Sequence, residues 1–151
     1  MKSKLHSELQ TKALHYMRHK GYWIKAIEMP TPQGIIDAWG ISNSSTPRYE
    51  TMAIEVKVSR NDYKSRSQKY KEYHAGNIAN YCFLLCPEGM ITEKDSPNWG
   101  ILWYSEKTGR LRRIRDATRY EMTDNDKLAV MINFFYSGRN NVEKLTENFN
   151  L

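Results

Sequence analysis

A single carboxylate, Asp37, interrupts an otherwise apolar run from Gly34 through Ile35, Ile36, Ala38, Trp39 and Gly40 to Ile41. Burying an unpaired carboxylate is expensive, so any fold this chain adopts must give Asp37 a partner. The next strand-like run, Tyr49 to Val58, supplies one. Alternation puts Ile54, Val56 and Val58 on one face and Glu55 and Lys57 on the other. Glu55 and Lys57 then stand about 7 Å apart along the strand. Paired as an antiparallel hairpin, the two strands bring Asp37 to roughly 5 Å from that face. Converging carboxylates resist joint ionisation. A hard divalent ion resolves the conflict, and magnesium suits it, taking one or two carboxylates and keeping several waters. Such an ion activates a water and polarises a phosphoryl oxygen; Lys57 would stand beside that water. The plainer alternatives are an Asp37 paired with a lysine or arginine, and an exposed edge carrying Glu55 and Lys57.

Around this pair the pattern predicts one α/β domain over 1–151. Leu5, Leu9, Ala13, Tyr16 and Met17 form a helical stripe over 4–20 with Ser3 as cap. Strands follow at 22–28, 34–41 and 49–58, then a polar helix from Asp62 or Ser65 to His74, with Asp62 able to cap it. Further strands are expected at 81–86, 100–104 and 111–115, and a helix at 124–137 burying Leu128, Met131, Phe134 and Phe135. A weak last helix is expected in 140–151. Helix, three strands, helix and strand make a core over about 4–116 on a mixed sheet flanked by helices, with a helical C-terminal extension over about 120–151.

Charge narrows the partners. The net charge of +6 is carried by residues 1–75, with 13 Lys/Arg against 7 Asp/Glu, while 76–151 balance at 10 each. Lys57, Arg60, Lys64, Arg66, Lys69 and Lys71 face only Asp62, and the stretch from Lys107 to Arg119 faces only Asp116. Clustered cations mark a polyanion partner, of which nucleic acid is the commonest; a solvated face is the bland reading. No apolar run nears the roughly 18 residues of a membrane span and the start lacks a signal-peptide core, so a soluble, cytoplasmic protein with no membrane partner is expected. Cys82 and Cys86 share one apolar strand, where four residues span about 13 Å, too far to bridge. They read as buried small hydrophobes in a reducing compartment. His15 and His19 lack the glutamate of a zinc-protease motif.

Asp37, the Glu55-Val56-Lys57 triplet and this element order resemble the PD-(D/E)xK nuclease superfamily, with its restriction-endonuclease-like αβββαβ core. Gly34 to Asp37 with Ile54 to Arg60 and Asp62 is similar to the MmcB-like group associated with DNA repair. Lys69, Tyr73 and the run from Tyr81 to Pro87 fit the same pattern, and the likeness covers about residues 5–116. Ile36 stands where the superfamily's naming proline would be. The resemblance implies a Mg2+ or Mn2+ ion held by Asp37, Glu55 and the main-chain carbonyl of Val56. It further implies catalytic support from Lys57, from Glu8 and from a polar residue of the second helix, Gln68 or Lys69. DNA is the implied partner, gripped by Arg60, Lys64, Arg66, Lys69 and Tyr73. A homodimer would use the C-terminal helices. The leading expectation is a metal-dependent nuclease acting on DNA. Its rivals are a non-cleaving nucleic-acid-binding module on the same fold and a basic protein that meets an acidic partner.

Overall fold

The computed structural model describes residues 2–31, 34–42, 49–65, 78–96 and 98–137. Helix α1 (Lys4–His19) opens on Ser3, whose Oγ accepts the His6 N–H at 3.1 Å. Arg18 lies in its last turn, where a cation suits the helix dipole. Strands β1 (Ile24–Thr31), β2 (Gly34–Ile41) and β3 (Thr51–Val56) run antiparallel in sequence order. Helix α2 (Arg60–Ser65) lies in the crossover to β4 (Tyr81–Pro87), which is parallel to β3. Strand β5 (Gly100–Tyr104) is parallel to β4, and β6 (Leu111–Arg115) returns antiparallel. Helix α3 spans Asp124–Ser137. The result is an α/β fold on one six-stranded mixed sheet, in the order β1-β2-β3-β4-β5-β6.

Two cores cover the two sheet faces. On one, Leu9, Ala13, Leu14 and Met17 of α1 meet Ala38, Met52, Ile54, Val56, Phe83 and Leu85. On the other, Trp39, Ala53, Leu84 and Ile101 pack with Tyr63 of α2 and Val130 of α3. Each fully buried Leu, Ile or Phe stabilises the fold by about 1.5–3 kcal/mol. Because both faces are covered, every residue of β3 is buried. Glu55 and Lys57 are therefore not an exposed edge.

Several local expectations are corrected. Ser59, not Asp62, caps α2: Ser59 Oγ accepts the Asp62 N–H at 3.1 Å. The buried side of α3 is also turned. Val130 is buried and Met131 and Phe134 pack partly, but Leu128 is 59% and Phe135 69% exposed. As expected, Cys82 and Cys86 are buried, and burial pushes the Cys86 thiol up to about 11. The expected helix over 140–151, and the second helix beyond Ser65 as far as residue 77, lie outside the described residues.

Candidate active site

The strand β1–β2 pair changes sides at one point. Ile27 and Ala38 are paired and lie with the α1 core, whereas the next pair, Met29 and Ile36, lies with the opposite core. Between them stand Glu28 and Asp37. Glu28 has φ of 52°, a left-handed backbone that costs a non-glycine residue energy and tends to occur where a side chain is re-aimed. The reversal turns Glu28 and Asp37 into a cavity of about 750 Å³ at the end of the β2–β3 pair.

Asp37, Glu55, Val56 and Lys57 all line this cavity. The sheet produces the convergence. Pairing of β2 with β3 runs from Ile41–Thr51 to Ala38–Ile54, and just beyond it the Val56 N–H donates to Asp37 Oδ2 at 2.8 Å. Asp37, Glu55 and Lys57 are 8%, 5% and 5% exposed, so three ionisable side chains are held at one nearly buried place. The Lys57 N–H donates to the Leu85 carbonyl at 2.9 Å, fixing its backbone on β4. Its Nζ lies 3.6 Å from Asp62 Oδ1, on α2.

Helix α1 contributes residues that sequence reasoning missed. His6 Nε2 lies 3.3 Å from Asp37 Oδ1, and Lys2 Nζ lies 3.7 Å from the same oxygen. Lys2 also ion-pairs with Glu28. Gln10 Nε2 donates to the Asp37 carbonyl at 2.7 Å, which ties α1 to the strand. Lys2 stands just before the Ser3 cap and His6 on the first turn of α1, and no residue pattern marks either as facing Asp37.

Other expected residues are placed elsewhere. Glu8 accepts the Tyr104 O–H at 2.8 Å and does not line the cavity. Its place toward Asp37 is taken by His6, because the apolar stripe of α1 sets which side of the helix meets β2. Arg60 pairs with Asp95 at 3.2 Å, donates to the Met90 carbonyl at 2.9 Å and lies over the Tyr63 ring. It clamps the β4–β5 connection. Lys64 is exposed on α2. Arg66, Gln68, Lys69 and Tyr73 lie outside the described residues. The later arginines are engaged in structure: Arg115 donates to the Ser96 carbonyl at 2.6 Å, and Arg119 pairs with Glu50 at 2.8 Å.

The donor set bears on a metal. No group of three or more His, Cys, Asp or Glu side chains among the described residues is arranged to hold a metal ion. Four carboxylates line the cavity, Glu28, Asp37, Glu55 and Asp62, and of these Asp37 and Glu55 stand on neighbouring strands beside Val56. That set fits a hard cation that retains waters and takes phosphate oxygens from a substrate, not an all-protein cage. In the present arrangement Asp37 is satisfied by Lys2, His6 and the Val56 N–H.

No protein-family model and no curated protein matches the chain. The fold is similar to the solved structure of a protein of unknown function from Silicibacter pomeroyi, with a TM-score of 0.71 at 16% identity, covering 97% of this chain and 92% of that one. That likeness concerns the fold alone. No helix among the described residues is long and apolar enough to cross a membrane.

Proposed function

We propose that this protein is a Mg2+- or Mn2+-dependent nuclease that hydrolyses DNA phosphodiester bonds, built on a restriction-endonuclease-like core of the PD-(D/E)xK type. One observation carries the reading. Asp37, Glu55 and Lys57, from two neighbouring strands, meet nearly buried in a single cavity that is large enough for a phosphodiester and its flanking sugars. The order of α1, β1 to β3, α2 and β4, with β4 parallel to β3, agrees with that core.

Asp37, Glu55 and the Val56 carbonyl would hold the ion. When bound, it supplies an activated water and positive charge to the scissile phosphate. Lys57 works from the chain itself. Its side chain is only 7% exposed, and Asp62 orients its ammonium at 3.6 Å. A cation fixed in a water-poor site needs no reorganisation when charge builds on the phosphoryl oxygens. Lys64, with Arg66 and Lys69 beyond it, would hold the flanking backbone.

A second reading, a DNA-binding module that does not cut, is favoured by one feature. The Asp37 carboxylate has three partners from the chain itself. Single-stranded, duplex and branched DNA incubated with Mg2+ or Mn2+ and with EDTA decides between them. Metal-dependent cleavage that disappears in Glu55→Gln supports the nuclease. DNA binding with no cleavage of any form supports the module.

A further inference from the structure

At the other end of α1 lies a second cleft, of about 360 Å³. Its floor is apolar: Met52 and Phe83 are 3% and 1% exposed. Its wall carries Tyr22 and Tyr81, and its rim carries Lys20 and Arg113. Tyr22 is 5% exposed, yet its hydroxyl makes no hydrogen bond to the described residues, and neither does that of Tyr81. Each hydroxyl reaches solvent, so it stands as an available donor toward the cleft. Burial, with Tyr81 and Glu50 nearby, raises the Tyr22 phenol, so it stays a protonated donor.

Arg113 is held in place for contact. Its guanidinium lies 4.9 Å from the centre of the Phe83 ring and 5.6 Å from that of Tyr16. Nε donates to Tyr16 Oη at 2.7 Å and Nη1 to Asp116 at 3.1 Å, while Nη2 makes no hydrogen bond to the described residues. Lys20 Nζ lies 5.6 Å from the Tyr16 ring centre. Two phenol donors and two cations over an aromatic floor want a flat, acceptor-rich, anionic ligand. The Asp116 carboxylate at the rim offers an acceptor to a ring N–H of the base. The volume far exceeds a phosphate and suits one nucleotide.

We propose that this cleft receives one unpaired nucleotide of a bound DNA strand, with its base against the Arg113 guanidinium that covers the Phe83 ring and its oxygens on Tyr22, Tyr81 and Lys20. The proposal rests on the reading that the protein acts on DNA. Lys2, Ser3 and His6 line the proposed active site and Lys20 lines the cleft. The sixteen-residue α1 between them is about 24 Å long. At about 3.4 Å per stacked nucleotide, that separates the sites by about seven nucleotides.

The test is anisotropy with a labelled oligothymidylate of about ten nucleotides. EDTA is present throughout, so the outcome does not depend on metal or cleavage. The parent protein is expected to bind, with thymidine 5′-monophosphate competing and blunt duplex competing poorly. Tyr22→Phe/Tyr81→Phe removes only the two hydroxyls and should weaken binding about tenfold at unchanged melting temperature. Lys94→Ala, exposed and outside both cavities, should bind as the parent does. An unchanged affinity in the double phenylalanine variant overturns the cleft, as does a parent that binds no single strand. Either result leaves the nuclease reading to its own cleavage assay. Equal competition by blunt duplex also overturns it, since a duplex presents no unpaired nucleotide.

Discussion

The Asp37 carboxylate accepts the Val56 main-chain N–H at 2.8 Å, so a side chain continues the hydrogen bonding of β3 beyond its paired stretch with β2. The same group therefore serves the fold and the proposed chemistry, and two substitutions separate these roles. Asp37→Asn keeps an acceptor for Val56 and removes the charge. Asp37→Ala removes both and leaves a buried N–H unsatisfied, at a cost of about 1–3 kcal/mol. Urea denaturation should show the alanine variant less stable than the asparagine variant by about that amount. Cleavage should be lost in both.

Lys2 competes with the proposed ion. Its ammonium spans Glu28 and Asp37, and it is 36% exposed, so the contact is only partly screened. Lys2→Met removes a cation from the carboxylate that a divalent ion must reach. Mn2+ affinity measured by calorimetry should rise by about two- to fivefold, the scale of one partly exposed ion pair. An unchanged or weaker affinity would mean that Lys2 does not stand in the ion's way.

Much of this was legible in the sequence because local pattern and tertiary demand agree there. Strands 34–41, 100–104 and 111–115 and helix 124–137 are bounded by turn residues, and the structure has the same bounds. Asp37 was conspicuous because it is the lone charge in an apolar strand. Helix α3 was misread in rotation because its middle is apolar nearly all round, from Leu128 to Phe135, so several stripes fit equally well. The roles of Lys2, His6 and Glu28 were not legible at all. They depend on how α1 docks and on a left-handed glutamate, which no residue type announces.

Gly100 opens β5 beneath the Phe83 ring. A Cβ there would lie 2.4 Å from Phe83 Cδ1 and 2.8 Å from the Ala117 N. The ring is buried and the other contact is backbone, so neither gives way cheaply. Gly100→Ala should lower stability by about 1–3 kcal/mol, seen as a lower urea midpoint with little change in slope. Phe83 also floors the nucleotide cleft, so single-strand binding should weaken alongside stability.

Glu55 and Lys57 share a strand face but have different tasks in the proposed reaction. Glu55→Gln preserves shape and removes the charge that would hold the ion. Both Mn2+ affinity and DNA cleavage should collapse together. Lys57 while protonated has no lone pair to offer a cation, and its work lies in the transition state. Lys57→Ala should leave Mn2+ binding intact or slightly tighter, because a neighbouring positive charge is gone. Cleavage should still fall by a factor of about 10² to 10³, the cost of losing one contact to developing charge. Asp62 supplies a control on this assignment. Asp62→Asn frees the Lys57 ammonium from its 3.6 Å partner without removing it, so cleavage should fall less than in Lys57→Ala. Calorimetry and a cleavage assay on the three variants give the pattern. Wild-type cleavage by Lys57→Ala would remove the lysine from the chemistry, and wild-type metal binding by Glu55→Gln would move the ion elsewhere.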